Sequence, residues 1–119
     1  MDMNLANKIN NASPEELTLM LYQGCEDFLV QGINYMKQKD FEKANKFIQR
    51  AEGIISEFRC TLNYQYEISY QLNDLYIFIY ESLVNGNIKN DIKMLTDALE
   101  IIQALKTAWT EAIRLAKNH

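Results

Sequence analysis

The chain has 119 residues, 48% of them hydrophobic, with one proline and four glycines, so it is long enough for one domain with its own core and too apolar to be disordered. A formal net charge of −4 repels phosphate backbones and anionic lipid heads, which argues against nucleic acid and membrane surfaces as partners. No segment reaches the ~18 to 20 continuous apolar residues of a membrane span, and Met1 to Asn11 lacks the charged and apolar regions of a secretory signal, so the expected location is the cytosol, without membrane insertion.

Residues 1–12 have no periodicity but include Met3, Leu5 and Ile9; a short irregular or partly helical segment is expected there, a flexible candidate lid ahead of a bundle domain over residues 13–119. Ser13 then offers a cap hydroxyl to the third amide of a helix, Pro14 suits the first helical position, and Glu16 is placed to reach back to the cap amide. The spacing predicts a helix from Pro14 to about Lys37, with Leu17, Met20, Leu21, Gly24, Phe28 and Leu29 inward.

Asp40 caps a second helix. Its apolar positions Phe41, Ala44, Ile48, Ala51, Ile55, Phe58 and Leu62 alternate steps of three and four, the mark of a sustained seam. After a break at Asn63 to Gln65 a third helix is expected from Tyr66 to Val84, with Ile68, Leu72, Leu75, Ile79 and Leu83 inward and Asn85, Gly86 and Asn87 ending it. A fourth opens near Asn90 and Asp91, and its buried face is expected along Ile92, Leu95, Leu99, Ile102, Leu105, Trp109, Ala112 and Ala116. Such helices with short connections pack as an antiparallel, up-down-up-down, all-α four-helix bundle. Cys25 lies on a buried face and Cys60 between the apolar positions of its helix, so both are expected as free structural thiols.

Helical bundles can carry di-iron or phosphotransfer chemistry, but those sites need histidines within the helices, and the single histidine is the terminal His119. No Ser-His or Cys-His couple is available, no metal site is expected, no glycine-rich loop can cradle phosphate, and Asp40 and Glu42 interrupt the lysines between Lys37 and Lys46. The expectation is a binding protein, not an enzyme, with no cofactor. The third helix has a second apolar row, Tyr66, Tyr70, Ile77, Tyr80 and Val84; the second helix has Phe47, Ile54 and Phe58, and the fourth has Met94, Ile101, Ala108 and Leu115. Ordinary packing is the competing reading of each of these residues, because a bundle helix touches two neighbours and a broad apolar face is normal. Those left outside the core would form a partner groove, for which Phe47, Ile54, Phe58, Tyr66, Tyr70, Ile77, Tyr80, Val84, Ile101 and Ala108 are the candidates. The same surface could instead serve a structural or regulatory bundle that acts through homo-oligomerisation.

The opening ASPEELTLMLYQG resembles the signature of the flagellar export chaperones for flagellin, the FliS family, matched at Ala12, Ser13, Pro14, Glu16, Leu17, Met20, Leu21, Tyr22, Gly24, Phe28 and Leu29. Further similarity lies at Ala51, Ile54, Ile55 and Leu62, at Leu72, Leu75 and Tyr76, at Asn90 and Asp91, and at Leu105 with Trp109. The resemblance implies a helical bundle without enzymatic activity or cofactor. It implies that the protein holds the disordered C-terminal segment of flagellin, prevents its premature polymerisation and helps deliver it to the export gate of the flagellar type III secretion apparatus. The chain departs from the family in having no tyrosine ahead of the signature, and Glu81 and Ser82 where arginines are common. Capping and packing explain the signature itself, so the partner surface is expected in the tyrosine-rich third helix and its neighbours.

Overall fold

The structure, a computed structural model, describes residue 7 and residues 9–118; Met3 and Leu5 lie outside the described residues. After a helical turn at residues 9–11 come four helices, α1 (Pro14–Lys37), α2 (Phe41–Cys60), α3 (Ile68–Lys89) and α4 (Ile92–Lys117). Local chemistry sets most of their ends. Ser13 Oγ accepts from the Glu16 amide at 3.2 Å, Asp40 Oδ1 from the Lys43 amide at 3.3 Å, and Asp91 Oδ1 from the Met94 amide at 3.0 Å. The Glu16 carboxylate does not complete a reciprocal box; it is turned towards Lys117 Nζ, 3.6 Å away on α4. Lys39 and Asn90, with φ of 63° and 52°, adopt the left-handed conformation that lets the chain reverse within the short α1–α2 and α3–α4 connections.

The expectation for the third helix needs correction. The helix starts at Ile68 rather than Tyr66, and Asn85, Gly86 and Asn87 continue it instead of ending it. Gly86 is buried, and a Cβ there would stand 2.9 Å from Leu95 Cγ, so this glycine serves the close approach of α4. Asn87 Nδ2 donates to Asn45 Oδ1 at 2.6 Å and ties α3 to α2. Asn90 is what terminates the helix.

Cross-helix contacts give the topology. Gly24 faces Ile54 and Gly32 faces Ile48; Arg59 bonds Asn73 while Asn45 bonds Asn87; Lys106 bonds Glu26 while Trp109 bonds Glu15. Each pair of numbers runs in opposite senses, so successive helices are antiparallel and α4 closes the ring against α1. The bundle is all-α, up-down-up-down.

Ala44, Ile48, Ala51, Ile55 and Phe58 of α2 are buried, as their steps predict, together with Ile79, Leu83, Leu95, Ala98 and Ile102. The inward face of α1 differs from the expectation. Tyr22, Cys25, Leu29, Ile33 and Met36 form it, whereas Leu17 and Leu21 are 36% and 39% exposed. An α-helix turns 100° per residue, and contact with both α2 and α4 centres the buried sector on the Tyr22 row. Phe41, Ile68, Ala112 and Ala116, also expected inward, are exposed because each lies at a helix end where its neighbours stop.

Both cysteines are free. Cys25 is fully buried with Sγ 3.7 Å from the Ala51 carbonyl, and burial, with Glu26 nearby, pushes its thiol up to about 12. Among the described residues no helix is long and apolar enough to cross a membrane.

Glu26 accepts from Lys106 Nζ at 2.5 Å and from Gln103 Nε2 at 3.1 Å. The lysine bond holds the carboxyl below its ordinary range, against desolvation, which acts the other way. A depressed carboxyl contributes stability above its unfolded pKa of about 4.3, and that contribution is lost as pH falls through the folded value. The unfolding free energy of the parent protein is therefore expected to drop more between about pH 5 and pH 3 than that of Glu26→Gln. Denaturant melts across this range check it.

Candidate functional site

The four helices do not close at one end of the bundle. α2 ends at Cys60 and α3 begins only at Ile68, while α4 runs on to Lys117 beside the start of α1. The connection over residues 61–67 bridges the gap and leaves a cavity of about 490 Å³. Tyr22, Phe58 and Tyr76 make its floor; Leu105, Ala108 and Trp109 of α4 make one wall, Ile68, Ser69 and Leu72 of α3 another, and Thr18, Thr61, Leu62, Asn63 and Tyr66 complete the rim.

The floor is an aromatic stack with a polar core. The Tyr22 and Phe58 ring centroids are 4.5 Å apart, those of Phe58 and Tyr76 5.5 Å, and the two tyrosine hydroxyls are hydrogen-bonded at 2.6 Å. Burial pushes both phenols above their ordinary value; their mutual bond raises Tyr22 further and partly offsets the rise at Tyr76. Both stay protonated. Tyr76→Phe leaves the Tyr22 hydroxyl buried without its partner and is expected to cost about 1 to 3 kcal/mol, whereas Tyr22→Phe combined with Tyr76→Phe lies much closer to the parent. Urea melts of the two single variants and the double variant measure this; equal losses in all three would contradict it.

The walls are held as firmly. Trp109 Nε1 donates to the Glu15 carbonyl at 2.9 Å, which fixes the indole against α1. Ser69 Oγ donates to the Asn63 carbonyl at 2.6 Å, and the Gln65 amide donates to Asn63 Oδ1 at 3.0 Å, so the connecting segment carries its own bracing. The lining contains no Asp, Glu, Lys, Arg, His or Cys. Its side-chain polar groups are hydroxyls, one amide and the indole N–H of Trp109, which is already bonded to Glu15. A cavity of this chemistry suits uncharged, largely apolar groups that a few hydrogen bonds can orient. Tyr64, Tyr66, Ile68 and Tyr70, all exposed, extend apolar surface from the connection onto the start of α3.

Of the groove candidates, Phe58, Tyr66 and Ala108 line this cavity. Phe47 instead stacks on Tyr35, with centroids 5.5 Å apart, and Tyr70 packs on Tyr64 at 5.0 Å. Ile54 faces Gly24, while Ile77, Tyr80, Val84 and Ile101 are half-buried and stand outside the lining. Ile9 is 43% exposed and also outside it. Leu62, Leu72, Leu105 and Trp109 carry the periodicity of the core seam, but past the last full turn of their neighbours a seam residue becomes a cavity wall. Thr18 and Tyr22 give the signature segment a part in the site that capping and packing alone do not describe.

Residues 1–116 match the family model of the flagellar protein FliS. The chain belongs to this family. It is 38% identical over 108 residues to the flagellar secretion chaperone FliS of Bacillus subtilis (strain 168), covering 91% of this chain and 81% of that protein. With the flagellar secretion chaperone FliS of Vibrio cholerae it shares 32% identity over 107 residues, 88% of this chain and 79% of the relative. The crystal structure of a flagellar chaperone from bacteria has the same fold, with a TM-score of 0.78 at 17% identity over 91% of this chain and 89% of that one. These relatives are named as flagellar secretion chaperones, and the family is that of a flagellar export chaperone.

Proposed function

We propose that this FliS protein is a cytosolic chaperone that binds the disordered C-terminal segment of flagellin stoichiometrically, keeps it from polymerising and helps present it to the flagellar export gate. The observation that carries this reading is the uncharged cavity of about 490 Å³ at the open end of the bundle. A disordered ligand places apolar anchors in such a cavity and drapes the rest of its length over neighbouring surface, here the tyrosines at the start of α3. Tyrosine suits a surface that alternates between free and covered, because its ring supplies contact area and its hydroxyl tolerates water.

The test is a calorimetric titration with the C-terminal segment of flagellin from the same organism. Binding at micromolar Kd or tighter, about −8 kcal/mol, is expected, with chemical-shift changes at Leu105, Ala108 and Trp109. Absence of heat and of shift changes would overturn the reading. A stable dimer in light scattering that shields Tyr66 and Ile68 would favour homo-oligomerisation instead. The residues ahead of Ala12 are proposed as a gate on the same site: deleting residues 1–11 is expected to leave the melting curve unchanged and to alter affinity for the flagellin segment, and an unaltered affinity counts against the gate.

A further inference from the structure

Away from the cavity, Phe28 and Tyr35 of α1 and Phe47 of α2 form a row of rings, with centroids 6.3 Å apart for Phe28 and Phe47 and 5.5 Å for Tyr35 and Phe47. Cations cover the row. Arg50 Cζ lies 5.2 Å from the Phe47 centroid and 5.7 Å from that of Phe28, and Lys43 Nζ lies 5.4 Å from that of Tyr35. Among the described residues neither Arg50 nor Lys46 makes an ion pair, and Lys43 reaches only Asp40, at 3.8 Å with both side chains exposed. We propose that this cation-covered aromatic row is a second docking surface, for an acidic peptide segment.

Several features select that occupant. Lys43, Lys46 and Arg50 step by three and four, so they share one face of α2 along about 10 Å of axis. Carboxylates spaced by one helical turn, about 5.4 Å, meet them in register. Arg50 sits within cation–π distance of both rings and makes no side-chain hydrogen bond or ion pair among the described residues, which leaves its N–H groups available for two-point pairing with a carboxylate. Of the nearby acids, Asp40 caps the Lys43 amide and Asp27 accepts from Gln23, while Glu42 and Glu52 of α2 make no ion pair with the row's cations among the described residues. An anionic membrane is the poorer fit, because the row is one helix wide and a broad negative surface would also meet the net charge of −4. The surface is independent of the cavity, so its failure leaves the flagellin reading intact.

The test uses the full chain and a fluorescent 16-residue helical peptide with glutamates at every fourth position, beside its glutamine counterpart and phosphatidylglycerol vesicles. The acidic peptide is expected to bind at least tenfold more tightly than the glutamine peptide at about 50 mM salt, to weaken as salt rises, and to shift the resonances of Tyr35, Phe47 and Arg50. Lys46→Gln with Arg50→Gln should weaken it at least fivefold. Arg59→Gln with Lys117→Gln, which changes net charge equally, should leave it within twofold. Shift mapping on the parent protein stays decisive if a variant unfolds. Equal effects of the two double variants, shifts elsewhere only, or binding to vesicles without binding to the peptide would overturn the proposal.

Discussion

Ala108→Asp is expected to weaken binding of the flagellin C-terminal segment about thirty- to a hundredfold while the bundle stays folded. Ala108 is exposed on α4, so in the free protein the new carboxylate stays hydrated and costs only a fraction of a kcal/mol in helix propensity. A bound ligand covers it. The cavity lining then offers no cation to the buried charge, and the nearest lysine along α4, Lys106, is already bonded to Glu26. Stripping the carboxylate of water under these conditions costs about 2 to 3 kcal/mol, which sets the fold-change. Calorimetry with a parallel thermal melt checks both halves of the expectation, and a variant that binds like the parent would remove this cavity from the binding site.

Gly32→Ala is expected to destabilise the fold by about 1 to 3 kcal/mol, while the same change at Gly53 stabilises it by about 0.5 to 1 kcal/mol. A Cβ on Gly32 would stand 2.7 Å from Ile48 Cγ1 and 3.4 Å from the Ala44 carbonyl oxygen and the Ile48 amide nitrogen. Ile48 is fully buried and β-branched, so its Cγ1 has little room to move, and α1 and α2 would have to separate. Around Gly53 nothing lies within 4 Å of the added atom, and only the better helix propensity and reduced unfolded-state freedom remain. Guanidinium melts of both variants give opposite signs if the α1–α2 spacing is as described; two stabilised variants would mean the helices pack more loosely at Gly32.

The four helices were legible because their codes are local. Ser13, Asp40 and Asp91 each bond an amide of the following first turn, and the three-four steps of Ala44 to Phe58 coincide with burial. Gly86 misled because a glycine flanked by asparagines carries the same local signal whether it ends a helix or admits a neighbour. Leu17 and Leu21 misled because α1 has apolar residues on adjacent sectors, and a rotation of one residue selects between them.

The candidate site was harder to read for a related reason. Phe58, Tyr66 and Ala108 could be picked out as surplus apolar positions, yet Phe47, picked out in the same way, packs against Tyr35 and Arg50 away from the cavity. Leu105 and Trp109 are indistinguishable by spacing from Leu95 and Ile102, which are fully buried.

The sequence by itself determined the four bundle helices, their antiparallel order, the caps and the family signature, because hydrogen bonding within a turn and apolar periodicity act between residues a few positions apart. Only the tertiary structure decided which sectors of α1 face inward, why Gly86 is a glycine, and where the core opens into a cavity. Those outcomes depend on where each neighbouring helix stops: α2 and α3 end short of α4, and the apolar residues of α4 beyond that point face an open cavity.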